Sequence, residues 1–230
     1  MQVSQLRVVP RVKEDASTHS DDLRVLRYRS TYERRLKRPL DLVGASAILV
    51  LASPLFLAIA AMIRIKLGKG IFYTQERVGV EQSPFTIYKF RTMRHDRRLR
   101  QVDLSGGEDR RSVHKADDDP RHTGVGRLLR RFSLDELPQL FNVVRGEMSL
   151  VGPRPEVYSI AEERGYLHHP RHEVKPGMTG PYQVSDLRLS GDLRDGLEVD
   201  AEYVESLSLR QDLGYLIRTV TVMMWGASGS

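Results

Sequence analysis

The chain has 230 residues, long enough for one catalytic domain with modest appendages and a real core. Lys and Arg number 36 against 30 Asp and Glu, a formal charge of +6, which suits nucleic acid, an acidic lipid surface or a phosphorylated substrate. There is no cysteine, which excludes disulfide frameworks, thiolate zinc sites and cysteine nucleophiles together and leaves carboxylates, His, Lys, Ser and Tyr for chemistry.

Residues 1–33 are polar, mixed in charge and without the apolar core of a secretory signal, which predicts a solvated, disordered tail. The run LDLVGASAILVLASPLFLAIAAMI follows, Leu40 to Ile63, with Asp41 its only charge. As one helix it would extend roughly 36 Å, more than the ~30 Å hydrocarbon core of a bilayer. Two features argue against a simple span. Basic residues flank both ends, Arg34, Arg35, Lys37 and Arg38 before and Arg64, Lys66 and Lys69 after, whereas a spanning helix concentrates positive charge on one side. Ser53-Pro54 also interrupts the middle, and proline deletes an intrahelical hydrogen bond and clashes with the carbonyl four residues back. Residues 34–69 are therefore expected to dip into the membrane and return; an ordinary kinked span is the alternative.

Residues 70–225 make up the expected catalytic domain. Alternating β-branched or aromatic and polar residues on both sides of Gly79 to Pro84 predict a β-hairpin within 71–95. In 97–122 half the residues are charged, which predicts a mobile loop; Asp117-Asp118-Asp119 reads as solvated charge rather than a metal site. Helical periodicity returns over Val125–Val144. Prolines and glycines break 152–182 into loops and short elements, and Tyr203 to Trp225 reads as a helix with a broad apolar face, for a core or a membrane surface. The fold class is α+β, mainly helical, with a small hairpin beside a membrane segment.

The chemistry concentrates in RLLRRFSLDELPQLFNVVRGEMSLVGPRPE, residues 127–156. Asp135 and Glu136 are adjacent acids near Arg127, Arg130 and Arg131, with Arg154 bracketed by two prolines. Arginines beside acids suit a phosphorylated substrate, because the guanidinium forks neutralise phosphate oxygens while a carboxylate stays ionised. Such a carboxylate can be a nucleophile toward phosphorus, a metal ligand, or both. Ser133 and Glu136 also match a capping box that would start a helix near Ser133, with Asp135 merely complementing its dipole. The two readings are compatible, since a helix N-terminus favours both phosphate and an ionised carboxylate. The histidines form no ligand spacing, and no known phosphate-loop motif occurs.

On KRPLDL with Ser53-Pro54 beyond it, YKFRTM at 88–93, DPRHTGVGRLLRRFSLDELPQLFNVVRGEMSLVGPRPE at 119–156 and KPGMTGPYQV at 175–184, the sequence resembles the bacterial sugar transferases, the monotopic phosphoglycosyl transferases. The resemblance implies a re-entrant helix broken at Ser53 and Pro54, at the cytoplasmic face of the bacterial inner membrane among membrane lipids. It implies Asp135 as nucleophile on a UDP-sugar, release of UMP, and transfer of the sugar phosphate to undecaprenyl phosphate. Glu136 would assist, Arg130, Arg154, Lys89 and Arg91 would bind phosphate, and magnesium (Mg2+) would offset charge, with Asp135 as a ligand. Glu147, where relatives often carry Asp, would support the site, and Thr179 to Tyr182 and Ser185 to Asp192 also depart from the usual pattern. Competing readings are a non-catalytic module on anionic lipid or nucleic acid, which acids in the basic site disfavour, and a transferase that passes the sugar alone.

Overall fold

The structure is a computed structural model that describes residues 30–93, 123–185 and 193–225. The expected tail up to residue 29 and the expected loop at 97–122 lie outside the described residues.

A π-helical turn, Tyr32–Leu36, leads into helix α1, Lys37–Leu51, and helix α2, Ser53–Lys66, follows after a break at Ala52. The two helical stretches bend by 62° at the break, and among the described residues no single helix is long and apolar enough to cross a membrane. The bend is local chemistry. Pro54 has no N–H for the carbonyl of Val50, and the Ser53 hydroxyl donates to that carbonyl instead at 2.8 Å. Around the break the apolar side chains are bare: Val50 is 73% exposed, Leu51 82% and Leu57 68%. The outer parts of the pair are packed. Ala45 joins Ile87, Leu140, Val143 and Met148 in one cluster, while Ile59 and Ile63 meet Phe90 and Leu129 in another. Asp41, the one charge in the apolar run, is buried there and accepts the Leu150 amide at 3.0 Å.

The predicted hairpin is present. Strand β1, Phe72–Val78, pairs antiparallel with β2, Pro84–Phe90, in the register Phe72 to Phe90 through Val78 to Pro84. Helix α3, Gly124–Arg131, a 3-10 turn, Leu134–Glu136, and helix α4, Gln139–Arg145, divide the periodic stretch Val125–Val144, with the break falling near Ser133. The segment from 152 to 182 consists of loops and short elements, as its prolines and glycines suggest. Strand β3, Ser149–Val151, runs parallel to β4, Gly177–Thr179, with helix α5, Tyr158–Glu163, and a 3-10 turn, Pro170–Glu173, between them. Gly152 and Gly177 permit this: a Cβ on either would collide with the backbone of the facing segment.

Helices α6, Leu193–Ser206, and α7, Leu209–Trp225, end the fold. Tyr203, Val204 and Leu207 pack on Val151 and Val174. The predicted apolar face of α7 divides in two: Leu216 packs against that cluster, and Leu213, Ile217 and Val220 face outward. The base of α1 is tied to α7 by a polar network. Lys37 Nζ donates to Asp212 Oδ2 (2.5 Å) and to the Val151 carbonyl (2.9 Å), and Asp212 also accepts from the hydroxyls of Tyr32 (2.6 Å) and Tyr203 (2.8 Å).

Candidate active site

The turn that presents Asp135 and Glu136 depends on one unusual backbone conformation. Ser133 adopts φ 52°, ψ 22°, the left-handed region, at roughly 1–2 kcal/mol for a residue with a side chain. Its N–H donates to the Arg130 carbonyl and its own carbonyl accepts the Glu136 N–H, both at 3.1 Å, which holds the reversal between α3 and the 3-10 turn. The Ser133 side chain makes no capping bond, so the expected capping box is absent, and α4 begins at Gln139 with Pro138 before it. In a 3-10 turn residues three apart share a side. Leu134 and Leu137 take the inner side and pack against the cores, which leaves Asp135 and Glu136 to face away from them.

Glu136 is the hub of the cleft. Its Oε1 accepts from Lys89 Nζ at 2.7 Å and lies 4.0 Å from Arg154 Nη2. Arg77, Gln139, Met178 and Pro155 line the same cleft. Burial works against ionisation of Glu136, but Lys89, Arg154 and Arg77 outweigh it and hold its carboxyl below the usual glutamate value. Asp135 goes the other way: burial first, then the charge of Glu136, raise its carboxyl above the ordinary aspartate value, against the opposing pull of Lys89 and Arg130. Adjacent acids whose environments push them apart suit different roles. Glu136 stays ionised and anchors cations, while among the described residues no ion pair ties up the Asp135 carboxylate.

The structure thus gathers Glu136, Lys89 and Arg154 around one cleft, with Asp135 and Arg130 in electrostatic reach. It does not bring Arg91 or Glu147 there. The Arg91 guanidinium donates to the carbonyls of Leu67 (2.8 Å) and Gly68 (3.2 Å), closing the C-terminal end of α2. Glu147 accepts from Asn142 Nδ2 at 2.7 Å and lines a separate cavity of about 440 Å³ with Thr86, Tyr88 and Lys175. The same Asn142 amide donates to the Thr86 carbonyl at 2.7 Å, so Glu147 helps fasten α4 to β2.

Arg77 was not legible as a site residue. It faces Phe85 across the hairpin, and strand alternation puts Phe85, Ile87 and Lys89 on one side of β2. Counting back across the hairpin from Lys89 is the signal that leads to Arg77.

The described residues contain no cluster of three or more His, Asp or Glu able to hold a metal by itself. A single carboxylate can still contribute to magnesium, which ordinarily keeps several waters and takes one or two carboxylates plus substrate phosphates. Asp135 fits that requirement. Glu136, committed to Lys89, fits it less well.

Comparison with known proteins identifies the family. Residues 32–226 match the model of the family described as bacterial sugar transferase. The chain belongs to that family. This sugar transferase is 40% identical over 185 residues to the uncharacterized sugar transferase EpsL of Bacillus subtilis (strain 168), covering 80% of this chain and 85% of that protein. It is 39% identical over 191 residues to the exopolysaccharide production protein ExoY of Rhizobium meliloti (strain 1021), covering 80% and 83%. A third relative, the UDP-glucose:undecaprenyl-phosphate glucose-1-phosphate transferase of Caulobacter vibrioides, is 38% identical over 197 residues, covering 82% and 69%. The match to the sugar transferase family takes in the bent helix pair and the cleft, and excludes only the N-terminal tail and the last few residues.

Proposed function

We propose that this sugar transferase is a phosphoglycosyl transferase that moves a sugar 1-phosphate from a UDP-sugar to undecaprenyl phosphate, as a first membrane step of exopolysaccharide or other glycan synthesis. The observation that carries the reading is the Asp135–Glu136 turn: a carboxylate with no ion pair among the described residues beside one that is paired with Lys89 and faces Arg154. The relatives' names supply the substrate class, since one is a UDP-glucose:undecaprenyl-phosphate glucose-1-phosphate transferase.

In this mechanism Arg154 and Lys89 meet the donor's diphosphate, with Arg130 and Arg77 adding to the positive field. An Asp135 carboxylate oxygen attacks the β-phosphorus and the bond to the bridging oxygen breaks, so UMP leaves with that oxygen. The sugar phosphate is then an acyl phosphate on Asp135. A phosphate oxygen of the polyprenyl phosphate attacks the same phosphorus, the bond to Asp135 breaks, and the carboxylate is restored as the polyprenyl diphosphate sugar forms. Glu136, held ionised, suits fixing Lys89 and Arg154 better than giving up a proton. Magnesium bound by Asp135 with the donor's phosphates would supply further charge neutralisation.

The bent pair suits a re-entrant anchor at the cytoplasmic face of the inner membrane. Arms of about 22 and 21 Å at 1.5 Å per residue, bent as observed and with both outer ends on one surface, put the apex about 11 Å deep. That lies within one leaflet, and the bare residues Val50, Leu51 and Leu57 surround the apex. A placement away from the membrane would leave these leucine and valine side chains in water.

The test is UMP release from a UDP-sugar without lipid acceptor. It should stop at an amount equal to the enzyme present and leave a phosphosugar mass increment on the peptide containing Asp135. Asp135→Asn should lose both signals, because an amide is a poor nucleophile. Release that requires the acceptor, with Asp135 unmodified, would point to direct transfer in a ternary complex; UDP in place of UMP would point to transfer of the sugar alone.

A further inference from the structure

Residues 153–156 belong to no helix and no strand, yet each of their four carbonyls has a donor. The Gly177 amide donates to Pro153 O (2.8 Å) and the Val78 amide to Glu156 O (2.9 Å). Between them, Arg171 Nη2 donates to Arg154 O (2.6 Å) and Arg77 Nη1 to Pro155 O (3.0 Å). Neighbouring strands supply the outer two donors, and guanidinium groups supply the inner two. Buried carbonyls require partners, but an amide or a water can meet that need. A buried arginine is a demanding choice, because its charge must be balanced as well.

Arg171 has that balance. Its Nη2 lies 2.9 Å from Asp200 Oδ2 on α6, with the two side chains 7% and 1% exposed. Burial pushes the Asp200 carboxyl up to about 6, while Arg171 opposes that rise. Arg171 does not line the cleft, whereas the Arg154 side chain is 45% exposed and points its guanidinium toward Glu136. The prolines on each side of Arg154 fix their own φ near −65° and keep Arg154 out of the helical region. With its flanks so restricted, the direction of the Arg154 carbonyl and the direction of its side chain are linked.

We infer that the buried Arg171–Asp200 pair is a positioning unit that acts through the Arg154 carbonyl and sets where the Arg154 guanidinium meets the donor's diphosphate. The inference rests on the phosphate role given to Arg154 above. Arg77 holds the next carbonyl in the same way but also lines the cleft, so Arg171 is the cleaner residue to change.

Arg171→Lys keeps a charge opposite Asp200 and loses the planar guanidinium whose Nη2 meets both Asp200 and the Arg154 carbonyl. It should lower kcat/KM for the UDP-sugar by about ten- to a hundredfold, the scale of a small misplacement of a binding group. In an Arg154→Ala background the same change should alter kcat/KM by less than about twofold, since the group it positions is gone. Hydrogen exchange of amides in 152–158 should quicken in Arg171→Lys while α4 and the hairpin keep theirs. If Arg171→Lys does not fold, the uncharged pair Arg171→Gln with Asp200→Asn carries the same expectations. An equal loss in both backgrounds would mean a general structural defect and would overturn the inference, as would unchanged exchange at 152–158. Wild-type enzyme that releases no UMP from any UDP-sugar would sink the transfer reading alone, and the exchange measurement would then decide on the positioning unit.

Discussion

Replacing Asp212 with Ala should destabilise the protein by about 3–5 kcal/mol, a large share of the roughly 5–15 kcal/mol that holds a domain folded. Asp212 accepts three hydrogen bonds, from Lys37 Nζ, Tyr32 Oη and Tyr203 Oη, at 2.5 to 2.8 Å. Lys37 and Asp212 are both nearly inaccessible, with side chains 10% and 5% exposed. Without the carboxylate, the ammonium of Lys37 keeps only the Val151 carbonyl, and a buried cation lacking its counter-charge accounts for most of the cost. Tyr203 can still donate to Val151 O at 3.2 Å, and half-buried Tyr32 can turn to water, so the hydroxyls add less. Lys37→Met with Asp212→Leu should therefore cost less than the two single changes summed, because no charge is stranded. Urea unfolding in detergent, followed by circular dichroism, measures all four corners of the cycle. An Asp212→Ala cost below about 1 kcal/mol, or strict additivity in the double variant, would refute the claim that this network fastens α1 to α7 and β3.

Four further outcomes concern the acid pair, the metal and the bent helices. Activity should fall toward acid pH at a point above the ordinary aspartate value, since the raised Asp135 carboxyl must be ionised to attack; in a pH–rate profile Glu136→Gln should shift that acid limb downward by removing the neighbouring negative charge, besides lowering the rate. Chelation should abolish turnover and added magnesium restore it, and full activity in excess chelator would remove the metal from the mechanism. With no native cysteine to interfere, Arg34→Cys and Lys69→Cys should both react with an impermeant thiol reagent from the cytoplasmic side only. Pro54→Ala should restore a donor for the Val50 carbonyl, straighten the pair and expose one of those labels on the other side in part of the molecules.

What the sequence discloses here is what local chemistry decides. The bend at Ser53-Pro54 follows from a missing N–H, and the hairpin follows from alternation about a turn-rich centre, so both are readable in a short window. The paired acids are readable as a motif. The Ser133-x-x-Glu136 pattern misleads because the same letters serve a cap or a tight reversal. Packing of Leu134 and Leu137 against the clusters that hold Ile87 and Phe90 selects the reversal, and those hairpin residues lie some fifty positions away. The β3–β4 pair is hidden for a similar reason. Three-residue strands have no periodicity of their own, and only the close approach of Gly152 and Gly177 reveals them.

Positive charge is the least legible feature, because composition does not say which arginines are spent on the fold. Arg38 holds the carbonyls of Val143 and Val144, Arg91 those of Leu67 and Gly68, Arg77 that of Pro155 and Arg171 that of Arg154. Each is a cross-link between segments distant in sequence, and a carbonyl is an acceptor that no side-chain pattern announces. Arg154 differs in having its backbone held and its guanidinium left half-exposed beside Glu136. A net charge of +6 is thus a poor measure of phosphate-binding capacity. The better criterion is a guanidinium whose main chain is fixed and whose donors are not yet taken. By that criterion Arg154 is the arginine of this cleft best placed for the phosphate role proposed above, and the arginines that hold the main chain around it are what keep its guanidinium available.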